Sequence, residues 1–216
     1  MSGYILNENP VFPPVTNAPS DAPIAMGGDL SAARLLEAYR NGIFPWYEDG
    51  QPILWWCPDP RFVLFPDELK ISKSMRPLLN KNLFFFTVNQ AFAAVVAGCK
   101  TTFRPGQEGN TWITEEVEAA YNNLHRLGYA HSAEAWLNGE LVGGLYGIRL
   151  GNVFFGESMF SRKSNASKFA FIRYISQLKQ ERVALVDCQV YTEHLGSLGA
   201  RMISREAFTQ LLRKNI

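Results

Sequence analysis

One dipeptide narrows what this chain can fold into more than any other feature: Asn138-Gly139, set between two apolar runs of strand type. Asn and Gly accept positive φ at both centres of a two-residue turn whose twist matches that of paired strands, so the dipeptide predicts an antiparallel hairpin, 131–137 against 140–148. A third strand, 152–160, follows Leu150-Gly151. Residues 164–180 then switch to helical spacing, with Phe169, Ile172 and Ile175 on one side, ahead of an apolar strand at 183–190. Upstream, helices are expected at 32–40, 72–79, 90–98 and 115–127, and a strand at 84–88. Asp29 or Ser31 can cap the first helix and Gly42 end it, Thr114 can cap the helix at 115, and Ser204 opens a last one. The order predicts an α+β fold of α/β type, with a small N-terminal domain, 1–62, ahead of a larger domain, 63–216.

The run Val183-Ala184-Leu185-Val186-Asp187-Cys188-Gln189-Val190 carries a carboxylate and an amide where apolar residues are expected. A carboxylate held among valines costs several kcal/mol unless it is paired, hydrogen-bonded or put to use. Strand side chains alternate at about 3.3 Å per residue, so Asp187 and Gln189 are expected on one face with Cα atoms roughly 7 Å apart. Glu157 repeats the anomaly in the strand Val153-Phe154-Phe155-Gly156-Glu157-Ser158-Met159, on the face expected for Phe155 and Met159. Its structural alternative is a buried partner for an arginine.

With 216 residues, 47% of them hydrophobic, the chain can bury a substantial core. It shows no apolar run long enough to span a bilayer and no basic, apolar leader at Met1-Ser2-Gly3-Tyr4, so no membrane association and a cytoplasmic location are expected. Cys57, Cys99 and Cys188 are widely spaced and read as reduced thiols. The net charge of +1 conceals segregation. Residues 69–107 hold Lys70, Lys73, Arg76, Lys81, Lys100 and Arg104 and no acid, 108–140 hold six glutamates against Arg126, and 161–182 hold six basic residues against Glu181. Two basic patches on a near-neutral protein suit local docking of a polyanion; solvated helix faces are the plain alternative.

A strand meander, a helix and a further strand resemble the GCN5-related N-acetyltransferase-like acyltransferases. In those enzymes a glycine-rich turn before the helix holds the coenzyme A pyrophosphate, whereas this chain has Ser161-Arg162-Lys163-Ser164-Asn165-Ala166-Ser167-Lys168. A closer resemblance rests on Gly27-Gly28-Asp29-Leu30, Gly42-Ile43-Phe44-Pro45-Trp46, Leu54-Trp55-Trp56-Cys57-Pro58-Asp59-Pro60-Arg61, Thr111-Trp112-Ile113-Thr114, Gly156-Glu157-Ser158-Met159-Phe160-Ser161, Asn165-Ala166-Ser167-Lys168, and Asp187-Cys188-Gln189 with His194 and Ser197-Leu198-Gly199. By these motifs the chain resembles the bacterial leucyl/phenylalanyl-tRNA-protein transferases.

That resemblance implies an aminoacyltransferase that moves leucine or phenylalanine from Leu-tRNA or Phe-tRNA to the α-amino group of proteins beginning with Arg or Lys, marking them for N-end rule degradation. It implies a monomer with no cofactor and no metal. The donor is already an activated ester, so the enzyme must chiefly position an amine and manage one proton. In this reading Asp187 accepts a hydrogen bond from the attacking amine, Gln189 positions amine or ester, and Glu157 binds the acceptor's positive side chain. Leu145, Phe154, Leu178 and Val186 are implied to line the apolar aminoacyl pocket. Trp46 and Trp112 are implied to stack the terminal adenosine, with Lys73, Arg76 and Lys81 on the acceptor stem; Trp55, Trp56 and Trp136 read as core.

Three rivals are open to test: a Cys188 thiol nucleophile beside His194, a non-catalytic tRNA-binding adaptor, and an acetyl-CoA acyltransferase. Alternation puts Cys188 opposite Asp187, with Val186 and Val190, where a packed thiol is expected. His131, Glu134 and His194 lack the compact spacing of a metal site.

Overall fold

The computed structural model describes residues 4–81, 83–102 and 111–216; Arg104 and Glu108 of the charge pattern, and Met1, Ser2 and Gly3, lie outside the described residues. In chain order the elements are β1 (Tyr4–Leu6), β2 (Ala25–Gly27), α1 (Ala32–Arg40), β3 (Phe44–Pro45), β4 (Leu54–Trp56), β5 (Arg61–Leu64), α2 (Met75–Asn80), β6 (Phe85–Val88), α3 (Phe92–Thr101) and α4 (Glu115–Arg126). They continue with β7 (Ala130–Leu137), β8 (Glu140–Leu150), β9 (Val153–Ser161), α5 (Ala166–Gln180), β10 (Leu185–Gln189), α6 (Glu193–Ser197), β11 (Arg201–Ile203) and α7 (Arg205–Asn215). The short α6 and β11 carry too little periodicity for the sequence to reveal.

Local chemistry accounts for the element ends. Asn138 and Gly139 adopt φ of 52° and 82° and join β7 to β8 with Leu137 opposite Glu140. The Ser31, Thr114 and Ser204 hydroxyls accept hydrogen bonds from the backbone N–H groups of Arg34, Val117 and Ala207, caps worth about 1 kcal/mol apiece. The proline-rich lead-in is tied down: β1 pairs in parallel with β2, and the buried Arg34 guanidinium donates to the carbonyls of Asn7 and Asn9 and to Asp29.

Two sheets result, one with the order β1-β2-β4-β3 and the other with the order β11-β5-β10-β9-β8-β7-β6. In the larger sheet β7, β8 and β9 form the antiparallel meander, and α5 carries the chain across to β10, which lies parallel to β9. β5, which spans the expected boundary at 62/63, pairs antiparallel with β10 and β11. One apolar cluster joins Trp55, Tyr39, Val95, Tyr121, Phe155 and Phe208, and thus the small sheet to α1, α3, α4 and α7. The other packs Phe169, Ile172 and Ile175 of α5 against Phe62, Leu145, Phe154 and Val186. Among the described residues no helix is long and apolar enough to cross a membrane.

Gly147 in β8 makes this layering possible beside the site. A Cβ there would meet the Phe155 carbonyl oxygen at 2.1 Å and the Phe154 ring at 2.5 Å. The backbone atom cannot swing aside, so Gly147→Ala is expected to cost about 1–3 kcal/mol or more, read as a lower urea midpoint with an unchanged m value.

Candidate active site

The site opens where the parallel pair comes apart. β10 pairs with β9 only at Leu185–Val153, Val186–Phe154 and Asp187–Phe155, while the rest of β9, to Ser161, continues alongside β8. Two irregularities sit at the split. The β8–β9 register slips between Tyr146 and Gly147, leaving Glu157 as an extra residue, and the β10–β5 register slips between Asp187 and Gln189, with Gln189 at φ 62°. Bulges of this kind re-aim side chains. They overturn strict alternation here: Phe155 and Met159 pack into opposite clusters, and Asp187 and Gln189 take different partners.

A cavity of about 470 Å³ fills the split. Leu145, Phe154 and Val186 line it, joined by Met159, Phe171 and Leu195; Leu178 does not, because it is fully buried in the cluster behind α5. Phe171 was legible in principle, since with Ser167 four residues earlier it defines a second face of α5. Trp46 and Trp112 line the same cavity. Trp46 is 42% exposed, its ring lies 5.7 Å from that of Trp56, and the Trp56 Nε1–H donates to the Trp46 carbonyl at 2.7 Å. Lys73, Arg76 and Lys81 lie exposed on and beside α2, outside the cavity lining.

The polar cluster lies along the split. Arg61 Nε and Nη2 donate to Asp187 Oδ1 and Oδ2 at 2.8 and 2.6 Å, and both residues are fully buried. The guanidinium is sandwiched 4.8 Å from the Phe44 ring and 4.6 Å from the Phe208 ring. The backbone N–H of Gln189 donates to Asp187 Oδ1 at 2.9 Å. Asp187 also lines the cavity, with both carboxylate oxygens engaged and its side chain closed to solvent. The Gln189 Nε2 donates to Glu157 Oε1 at 2.9 Å, and among the described residues no donor engages its amide oxygen.

Glu157 is half-buried at the cavity wall, and its partners are tyrosines rather than an arginine. The Tyr39 hydroxyl lies 2.7 Å from Oε1, that of Tyr121 3.0 Å from Oε2, and the two hydroxyls 2.5 Å from each other. Three O···O contacts close this triangle, and two phenols supply only two protons, so the neutral carboxyl would complete it with a third. Burial pushes Glu157 up to about 7, against the lowering effect of the two hydroxyls, and burial also raises both phenols, which stay protonated donors.

Cys188 and His194 line the cavity too. Burial drives the Cys188 thiol well up, so thiolate is scarce, and the S–H lies 3.9 Å from the Val186 carbonyl. His131 bonds Asn89, and Glu134, fully buried, accepts from Thr87 and Ser132. Neither stands beside His194 in the cavity wall.

A meander, a crossover helix and a parallel strand that splays beside a carboxyl–carboxamide pair thus build the site. The family model for leucyl/phenylalanyl-tRNA protein transferase matches residues 63–213, and the model for its N-terminal domain matches 28–59. The chain is 62% identical to the leucyl/phenylalanyl-tRNA--protein transferase of Syntrophus aciditrophicus over 95% of its own length and 86% of that protein's, and 54% identical to that of Christiangramia forsetii over 97% and 99%. It is similar in structure to a GCN5-related N-acetyltransferase from Kribbella flavida, with a TM-score of 0.41 and 10% identity over 78% of this chain and 60% of that one. The chain belongs to the leucyl/phenylalanyl-tRNA protein transferase family.

Proposed function

We propose that this protein transfers Leu or Phe from aminoacyl-tRNA to the α-amino group of proteins whose first residue is Arg or Lys, marking them for N-end rule degradation. It works as a cytoplasmic monomer, with residues 1–62 and 63–216 acting together, because Tyr39 and Trp46 come from the first part and Glu157 and Gln189 from the second. The observation that carries the reading is the 2.9 Å link between Glu157 and Gln189 in the wall of a largely apolar cavity.

In this reading the ester side chain occupies the space bounded by Leu145, Phe154 and Val186, with Leu178 setting the packing behind it. The adenosine stacks on Trp46 and Trp112, an interaction worth about 1–3 kcal/mol per base. The Gln189 amide oxygen accepts an N–H from the incoming amine, and Glu157 accepts the Arg or Lys cation. The amine nitrogen forms a bond to the ester carbonyl carbon, the bond from that carbon to the ribose oxygen breaks, and the amine's proton ends on the departing ribose hydroxyl. Asp187 acts through Gln189, whose backbone it anchors, and Arg61 holds Asp187.

Transfer of labelled Leu or Phe from charged tRNA to peptides beginning with Arg, Asp or acetylated Arg tests the activity. Label on the free Arg peptide alone is expected; tRNA binding with no transfer would favour the adaptor. Lys73, Arg76 and Lys81 carry the acceptor stem, so Arg76→Ala is expected to weaken tRNA binding and lower the slope of log K against log salt by about one, with kcat nearly unchanged. An unchanged slope would remove Arg76 from the interface.

A further inference from the structure

A second cavity, of about 340 Å³, adjoins the first, and its lining is basic: Arg162, Lys163 and Lys168, with Ser161, Asn165 and His194. His194 and Ser167 line both cavities, so the two share a wall. Among the described residues none of the three cations makes an ion pair; Arg162 lies over the Phe160 ring at 5.5 Å. The Nε2 atom of His194, in the shared wall, is buried without a hydrogen-bond partner among the described residues.

The cavity lies at the start of α5, a helix of 15 residues with no acidic residue in its first turn and no side-chain cap from Asn165, which sits at φ 66°. Cations crowded on the positive end of a helix repel it and one another, and an anion relieves both. Three cations without acidic partners, gathered around a concave site beside the substrate pocket, make that site selective for an anionic ligand.

We propose that this cavity binds a backbone phosphate of the tRNA 3′ single strand, next to the aminoacyl ester lodged in the main cavity. The proposal rests on the reading of the substrate as a charged tRNA. The shared wall sets the spacing between ester and phosphate, so the cradle anchors the donor and fixes the ester against Gln189. No covalent step is involved. Lys168, half-buried and in the first turn of the helix, and Lys163, in the loop before it, hold the phosphate, and a neutral His194 forms part of the wall. Burial and Lys168 both lower the His194 pKa, in keeping with that neutral form.

The test uses the full chain and two donors, charged tRNA and an aminoacyl-adenosine that carries no phosphate. The Lys163→Ala/Lys168→Ala variant is expected to lose about ten- to a hundredfold in kcat/KM with charged tRNA, mostly through KM, and to keep the wild-type rate with aminoacyl-adenosine. Equal losses with both donors would make the patch structural, and no loss with either would remove the phosphate; both results overturn the proposal. Binding of uncharged tRNA across salt concentrations supplies a readout independent of transfer: the variant's slope is expected to fall by about one for each lysine–phosphate interaction removed, and an unchanged slope sinks the proposal. A wild-type protein that used neither donor would instead count against the activity proposed above, with the salt slope still testing the cradle. Inorganic phosphate as a competitor separates sources: it should inhibit weakly, since the site is built for a phosphate delivered by the strand.

Discussion

Asp187→Asn is expected to lower folding stability by about 3–5 kcal/mol, because it leaves the Arg61 guanidinium charged and poorly compensated in a fully buried site. Typical domains are stable by only about 5–15 kcal/mol, so this substitution alone can remove much of the folded population. Loss of transfer in the single variant would therefore say little about chemistry. The informative experiment replaces both partners, Arg61→Met with Asp187→Leu. Well-packed apolar substitutes for a buried pair are commonly neutral or stabilising, and Phe44 and Phe208 already offer aromatic faces on either side of position 61. The remaining loss is the acceptor for the Gln189 N–H, about 1–3 kcal/mol.

The double variant should thus recover most of its stability in urea unfolding and still transfer at least about a hundredfold more slowly, since small misplacements of a positioning group cost about that much. Stability restored together with wild-type transfer would mean that Asp187 serves folding alone. It would also hand the management of the amine proton to the ribose of the donor.

What the sequence made legible is local in character. The Asn138-Gly139 turn, the Ser31, Thr114 and Ser204 caps and the limits of α1 follow from residues within a few positions of each other, and they stand where the chain predicts. Charged residues inside apolar strands are equally visible, so Asp187 and Glu157 stand out in the sequence. Their partners were not visible. Arg61 lies 126 residues from Asp187, and Tyr39 lies 82 from Tyr121 and 118 from Glu157. Nothing in a period of two or 3.6 residues carries such pairings.

Bulges are illegible for a related reason. A strand pattern is read by assuming unbroken alternation, and the site sits at the two places where alternation breaks, beside Glu157 and between Asp187 and Gln189. Leu178 shows the limit on the apolar side, where a pocket wall and the layer behind it are both simply hydrophobic. Met159 and Leu195 enter the cavity wall by three-dimensional packing alone.

Glu157→Gln is expected to make the protein more stable and the enzyme worse. The carboxyl of Glu157 is raised from the usual 4.5 to about 7 by burial, so between those two pH values the folded protein holds a proton that the unfolded chain has released. Stability is therefore full below about 4.5, falls through that window and levels off above about 7. At about 1.4 kcal/mol per pKa unit, wild type at pH 8 has lost about 3 kcal/mol that a neutral glutamine keeps. The amide also fits the tyrosine triangle: its oxygen can accept from Tyr39 and Gln189, and its NH2 can donate to Tyr121 in place of the carboxyl proton. Chemical denaturation from pH 4 to 8 should show wild type losing stability and Glu157→Gln nearly flat over that window. The functional cost follows from the same charge. An incoming Arg or Lys cation favours ionised Glu157, so acceptor binding by wild type should strengthen as pH rises through about 7, while an amide offers no such gain. Discrimination between an Arg peptide and its neutral citrulline analogue is expected to fall about ten- to a hundredfold in the variant, the usual worth of a hydrogen bond to a charged group. Unchanged discrimination, with the pH dependence of stability flattened as expected, would make Glu157 a proton-holding part of the tyrosine triangle and move the acceptor's cation elsewhere in the cavity.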